Sequence, residues 1–127
     1  MIHIVRLGTP RAVAEGLRLG TVRRPPRGVA KTDIARRNFY DVWLPELAPS
    51  QGLVRLAQTA ATSAEWRRFR ERYRGEMAKP PGSRILDLLA ALSHTANLSV
   101  GCYCEDETHC HRSVLRDLLA AHGATLR

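Results

Sequence analysis

The sequence predicts one α/β domain over residues 1–127, a small, mainly parallel sheet covered by four or five helices. Three observations predict it. The chain has 127 residues, room for a single compact core on the usual scale of roughly 100 to 200 residues per domain. Short apolar segments near residues 2–7, 17–23 and 97–104 are far apart in the chain, with helical patterns between the second and third; strands joined through helices pair in parallel. Hydrophobic residues at 44% and charged residues at 25% suit a folded domain and exclude disordered and fibrous classes.

The first strand is read from Ile2, Ile4, Val5 and Leu7, bounded by Gly8-Thr9-Pro10. Residues 9–22 admit two readings. Thr9 and Pro10 can open a helix, which Gly16 and Gly20 would each weaken by about 1 kcal/mol; the alternative is a short helical turn and then a strand in which Leu17, Leu19 and Thr21 alternate with Arg18, Gly20 and Val22. Pro25-Pro26 ends either one. Thr32 can cap a helix containing Ile34, and Phe39 to Leu47 carries much of the aromatic content, read as core. Ser63 then caps a helix with its apolar stripe at Trp66, Phe69, Tyr73 and Met77, stopped by Pro80-Pro81-Gly82. Ser83 caps the next, through Leu92. A strand over Leu98 to Cys104 leads into a last helix from about Cys110 to Gly123.

Charge is the strongest bias: 20 Lys plus Arg against 12 Asp plus Glu gives +8. Such a field attracts polyanions, although it sets attraction rather than specificity. Seven basic residues and the single acid Asp33 lie between Arg18 and Arg37, broken by Pro25, Pro26 and Gly28 as in a surface loop. The Trp66–Met77 helix carries five more arginines interleaved with Glu65, Glu71 and Glu76, with Arg67–Glu71 and Arg72–Glu76 spaced to pair across one turn. No run approaches the ~18 apolar residues of a membrane span, and the apolar start is interrupted too soon for a secretory core. The expectation is a cytoplasmic protein with no membrane partner, its cysteines reduced.

All three cysteines, Cys102, Cys104 and Cys110, fall within nine residues, a segment that also holds His109 and is followed directly by His111 and Arg112. A strand followed by a polar turn and a helix beginning near Cys110 places this segment where ligands bind in open α/β sheets. A helix N-terminus favours anions and lowers a thiol pKa, which makes Cys110 the thiolate candidate, His111 a proton carrier and Arg112 a fork for carboxylate or phosphate. Glu105, Asp106 and Glu107 oppose this electrostatically. The same residues allow a tetrahedral zinc held by Cys102, Cys104, Cys110 and either His109 or His111. They also allow a plain structural role, with the cysteines packed as small apolar side chains and His111 capping the helix.

Several motifs carry a resemblance. Glu15 to Lys31 contains R-x-x-P-R-G-x-x-K at Arg23, Pro26, Arg27, Gly28 and Lys31; Trp43 to Ser50 reads W-L-x-x-L-A-P-S; Trp66 to Tyr73 reads W-x-x-F-x-x-R-Y. With Cys102 and Cys110-His111-Arg112 they resemble the YeaO-like family, domain of unknown function 488, from about Glu15 to the end. Cys104 stands where the family's C-x-E pattern has its acid, and Val22 where YeaO relatives have an aspartate. The resemblance supports the strand reading of residues 17–22 and brings no assigned activity.

The leading expectation is a small enzyme, with no required cofactor, acting on a phosphorylated or nucleotide-like anion. Arg23, Arg27, Lys31 and Arg112 would bind the anion, Cys110 act as nucleophile or redox thiol and His111 carry the proton. It needs the Arg23–Lys31 loop and the Cys104–Arg112 turn to meet at one sheet edge. The alternatives are a non-enzymatic nucleic-acid-binding module and a structural zinc site at Cys102, Cys104, Cys110 and His109.

Overall fold

A computed structural model describes residues 1–127. Four strands, β1 (Ile2–Arg6), β2 (Leu17–Gly20), β3 (Val42–Trp43) and β4 (Leu98–Cys102), form one sheet in the order β1-β4-β2-β3. Every pairing is parallel. The helices are α1 (Gln51–Thr59), α2 (Ser63–Met77), α3 (Gly82–Leu92) and α4 (His111–Ala121), with 3-10 turns at Lys31–Asp33, Pro45–Leu47 and Glu107–His109. The small, mainly parallel α/β sheet with four helices is therefore present, and the sheet is wholly parallel.

β4 is central and its residues are all buried. Register sets Ile2 opposite Leu98 and Arg6 opposite Cys102 on one side, and Leu17 opposite Leu98 and Gly20 opposite Gly101 on the other. A Cβ on Gly101 would lie 2.6 Å from the Val5 carbonyl oxygen, so this bare position lets β1 and β4 approach. The outer edge of β1 is covered by the C-terminus: Ile2 N donates to Thr125 O at 2.8 Å and Arg127 N to Ile2 O at 3.1 Å. The larger core joins the sheet, through Leu19, Leu98 and Val100, to the helices, through Leu53, Phe69, Tyr73, Leu86, Leu115 and Leu119. A smaller one gathers Leu7, Val22, Ile34, Tyr40, Cys102 and Cys110.

The structure corrects several local expectations. Residues 9–16 form turns rather than a helix, β2 ends at Gly20, and β4 ends at Cys102, short of Cys104. Thr62, not Ser63, caps α2: its Oγ1 accepts from Glu65 N at 3.2 Å while the Glu65 carboxylate reaches back toward Ala61 N, a reciprocal cap. α3 starts at Gly82 behind Pro81, one residue before Ser83 could cap it. The segment expected to be core is mixed, because the edge strand β3 leaves Val42 and Trp43 more than two-fifths exposed. Arg67–Glu71 and Arg72–Glu76 do not pair; Glu76 instead accepts the Ser50 amide at 2.9 Å at the start of α1, where the helix dipole favours a carboxylate.

Arg18 is the largest departure from the surface-loop reading of the basic stretch. It is fully buried on β2, 3.1 Å from the Glu15 carboxylate, and donates to the carbonyls of Thr9, Asn38 and Pro10. The peptide N–H of Arg18 donates to Asp41 at 2.8 Å. Burial pulls the Asp41 carboxyl up, but hydrogen bonds from Arg11 and the Arg18 amide outweigh it and hold the group below its usual range. The long β1–β2 and β2–β3 connections, which contain no α-helix, are tied together by these charges. No helix of the protein is long and apolar enough to cross a membrane.

Candidate functional site

Because all four strands are parallel, their carboxyl ends share one edge, where the segments after β2 and β4 leave the sheet. The two segments are hydrogen-bonded to each other. Tyr103 OH donates to Arg24 O at 2.8 Å, and His111 Nε2 lies 2.7 Å from Thr21 O. A carbonyl only accepts, so Nε2 carries the proton and Nδ1 of the neutral ring is left as the acceptor. Thr21 is anchored to β4 through its own N–H and Oγ1, both donating to Gly101 O at 3.0 and 2.9 Å.

His111 Nδ1 faces Cys110 Sγ at 3.7 Å, and Cys110 Sγ lies 2.7 Å from Cys102 Sγ. Cys102, the last residue of β4, and Cys110, the N-cap of α4, are both buried; Cys104 is exposed in the turn between them. Ligand atoms of Cys102, Cys110 and His111 all lie within 4.8 Å of one another, a set whose donor types suit a soft or borderline metal ion. The His111 ring packs edge-on to buried Tyr73, centroids 5.6 Å apart.

Environment separates the thiols. The neighbouring Cys102 and Cys110 thiols lower the Cys104 pKa against the cost of desolvation, helped by the Arg112 charge. Cys102 is pushed up by donating to Cys104 and Cys110 and by burial. For Cys110, the Cys102 contact pulls down, while the Cys104 contact and burial prevail and push it up to about 11. Burial, aided by Arg112, lowers His111 to about 4, so the imidazole is neutral at pH 7. Sequence reasoning assigned the low-pKa thiol to Cys110 from the helix dipole; it did not include the sulfur neighbours that hold Cys104 down.

The basic residues divide. Arg112 is buried, donates from Nη2 to Cys104 O at 2.5 Å and leaves Nε without a partner. It has no carboxylate partner, unlike buried Arg18 with Glu15. Arg23 is half-buried and spends its guanidinium on the Pro49 and Ala48 carbonyls at 3.0 and 3.1 Å, joining the loop to the start of α1. Arg27 and Lys31 are exposed. His109 is directed away from the sulfurs, stacked on Trp66 with centroids 5.2 Å apart and 3.1 Å from Asp106. The acids upstream of Cys110 are engaged as well: Glu105 with Arg6 at 3.5 Å and Glu107 with Arg116 at 2.9 Å.

Thr21 and Tyr103, which fasten the two segments together, were not anticipated; a Thr directly after a strand is too common to single out. A surface hollow of about 700 Å³ lies elsewhere, lined by Ser50, Arg72, Glu76 and Lys79 among others. Glu76 already meets the Ser50 amide there.

Comparison with curated proteins and with solved structures gives no match. A family model does match, over residues 2–123, and its description is the active DUF488-N3 subclade. With that match covering nearly the whole chain, the protein belongs to DUF488-N3a, a family of the YeaO-like domains of unknown function.

Proposed function

We propose that the protein is an enzyme acting on a phosphorylated or nucleotide-like anion, with its reacting centre at the Cys–His–Arg cluster on the carboxyl edge of the sheet. The observation that carries this reading is the direct hydrogen bonding of the basic β2 loop to the cysteine turn. Arg27 and Lys31, exposed and without hydrogen-bonding or ionic partners, meet the anion; Arg23 holds their loop against α1. Cys104 is the sulfur that solvent reaches. Behind it, the buried Cys110 thiol faces the free Nδ1 of His111, whose orientation Thr21 fixes, and Arg112 supplies a buried positive charge. The subclade's description as active is in keeping with this reading.

The test measures binding of inorganic phosphate and of a mononucleotide by calorimetry, together with alkylation of Cys104 by iodoacetamide. Each charge-assisted hydrogen bond contributes about 1.5–3 kcal/mol, so the R27A/K31A double variant is expected to bind at least about tenfold more weakly. Saturating nucleotide should slow Cys104 alkylation in the wild type and have little effect in the variant. Absence of anion binding, or binding indifferent to the two substitutions, overturns the proposal.

A second reading is nucleic-acid binding through α2. It is favoured by Arg67, Arg68 and Arg72, which are exposed and lack carboxylate partners.

A further inference from the structure

We propose that Cys102, Cys104, Cys110 and His111 form a binding site for one zinc-class divalent ion, with Cys102, Cys110 and His111 as fixed buried ligands and Cys104 as the exposed, exchangeable fourth. The inference deepens the reading above and rests on it for placing the chemistry at this cluster. Four observations carry it.

The first is convergence: two sulfurs and an imidazole nitrogen, from the end of β4 and the start of α4, lie within 4.8 Å of one another in a buried position. The second is the orientation of His111. Metal-binding histidines characteristically donate the other ring N–H to a carbonyl or carboxylate, which fixes tautomer and ring angle; here Nε2 donates to Thr21 O at 2.7 Å and Nδ1 faces Cys110 Sγ at 3.7 Å.

The third is the fourth ligand. Cys104 sits exposed in the short turn that joins the two buried cysteines, outside the buried trio of ligand atoms; swung onto the ion it completes a donor set of three sulfurs and one nitrogen, a recurrent tetrahedral zinc set. Sulfurs bound to one zinc at about 2.3 Å lie roughly 3.7 Å apart, so the ion seats by parting the Cys102–Cys110 pair from its present 2.7 Å.

Charge is the fourth. A divalent ion with three thiolates and a neutral imidazole carries one net negative charge. Arg112, buried beside Cys104 and without a carboxylate partner, balances it, which accounts for a lone buried guanidinium that would otherwise be costly. His109, the other histidine in the segment, is occupied with Trp66 and Asp106.

The experiment uses the full-length protein without a metal-binding tag, purified under reductant. Metal content is measured by mass spectrometry, and cobalt(II) is titrated into the reduced, chelator-stripped chain. The expected result is about one zinc per chain, and a tetrahedral cobalt spectrum with a strong sulfur-to-cobalt charge-transfer band. Cys104→Ser should keep the ion, weaken it by about tenfold and remove roughly a third of the charge-transfer intensity, since one of three thiolates is gone. Cys110→Ser should weaken binding by roughly hundredfold or more.

Failure of the reduced wild type to hold zinc or cobalt overturns the proposal whatever the variants do, so a misfolded variant does not protect it. A Cys102–Cys110 disulfide, seen as a loss of two hydrogens that reductant reverses while no metal binds, overturns it too. Stoichiometric metal with no anion binding would refute the enzyme reading alone; anion binding governed by Arg27 and Lys31 without metal would refute this site alone.

Discussion

Replacing Arg18 with alanine is expected to destabilise the protein by about 3–5 kcal/mol, the usual cost of removing one partner of a buried ion pair. The side chain is fully buried and reaches five oxygens: Thr9 O at 2.8 Å, Asn38 O at 2.7 Å, Pro10 O at 3.1 Å and the Glu15 carboxylate at 3.1 and 3.2 Å. Alanine would leave Glu15, itself 6% exposed, with only the Ala12 amide as partner, and would take the donor from the Thr9 and Pro10 carbonyls, while Asn38 O keeps the Gly8 amide. Domains of this kind are stable by only about 5–15 kcal/mol, so a large part of the folded population is at stake. Lysine should recover only part of the loss, because a single ammonium cannot span both the carboxylate and the loop carbonyls. Urea unfolding of the wild type, R18A and R18K checks this; a shift below about 1 kcal/mol for R18A would show that the pair is not what ties these loops together.

Gly16→Ala should be of similar severity, for a steric reason. Gly16 has φ +69°, and a Cβ there would lie 1.8 Å from the Asn97 carbonyl oxygen, so the backbone itself must move. The left-handed conformation costs a non-glycine residue about 1–2 kcal/mol and the forced displacement about 1–3 kcal/mol more. The displacement falls where β2 and β4 begin their pairing, with Leu17 opposite Leu98. Gly28 provides the control: its φ is +70°, but a Cβ would meet nothing within 4 Å. Gly28→Ala should therefore cost only the conformational part. Thermal unfolding of both variants separates the effects, and equal losses would contradict the clash.

The parts of the fold legible in the sequence were those whose pattern reports local physics. β1 and β4 showed as short apolar runs, α2 as an aromatic stripe every three or four residues, and the strand-turn-helix at the cysteines from its alternation and the helix after it. α1 was missed although Leu53 packs into the core and Leu56 against it; Gly52 and a polar outer face weaken its helical signal. β3 was missed because a two-residue edge strand has no period, and its pairing is set by β2 alone. Arg18 was misplaced because a charge is ordinarily a surface marker, and only a partner three residues earlier, Glu15, together with carbonyls from two loops makes its burial tolerable.

At the site, spacing identified the segment but not the division of labour within it. Period-two alternation placed Cys102 and Cys104 on one face, yet the strand stops at Cys102, and the turn carries Cys104 out to solvent. Which histidine faces the sulfurs was likewise a question of tertiary geometry: a helix N-terminus points His111 inward to Thr21, while the preceding 3-10 turn sends His109 to Trp66. Arg27 and Lys31 were named from a motif and Arg112 from its neighbours, but their exposure and burial depend on how the β2 loop folds over the sheet edge. Long-range contacts of this kind leave no trace in composition or periodicity.

In the proposed function, the β2 loop and the cysteine turn act as one anion-responsive site. Backbone amide NMR of the reduced protein, titrated with a mononucleotide at moderate salt, tests this. Arg24, Arg27 and Lys31 are expected to shift together with Cys104, Cys110 and Arg112, along a single saturation curve, while the α2 amides stay in place. Shifts confined to Arg67–Arg74, or shifts in one of the two segments without the other, would contradict it.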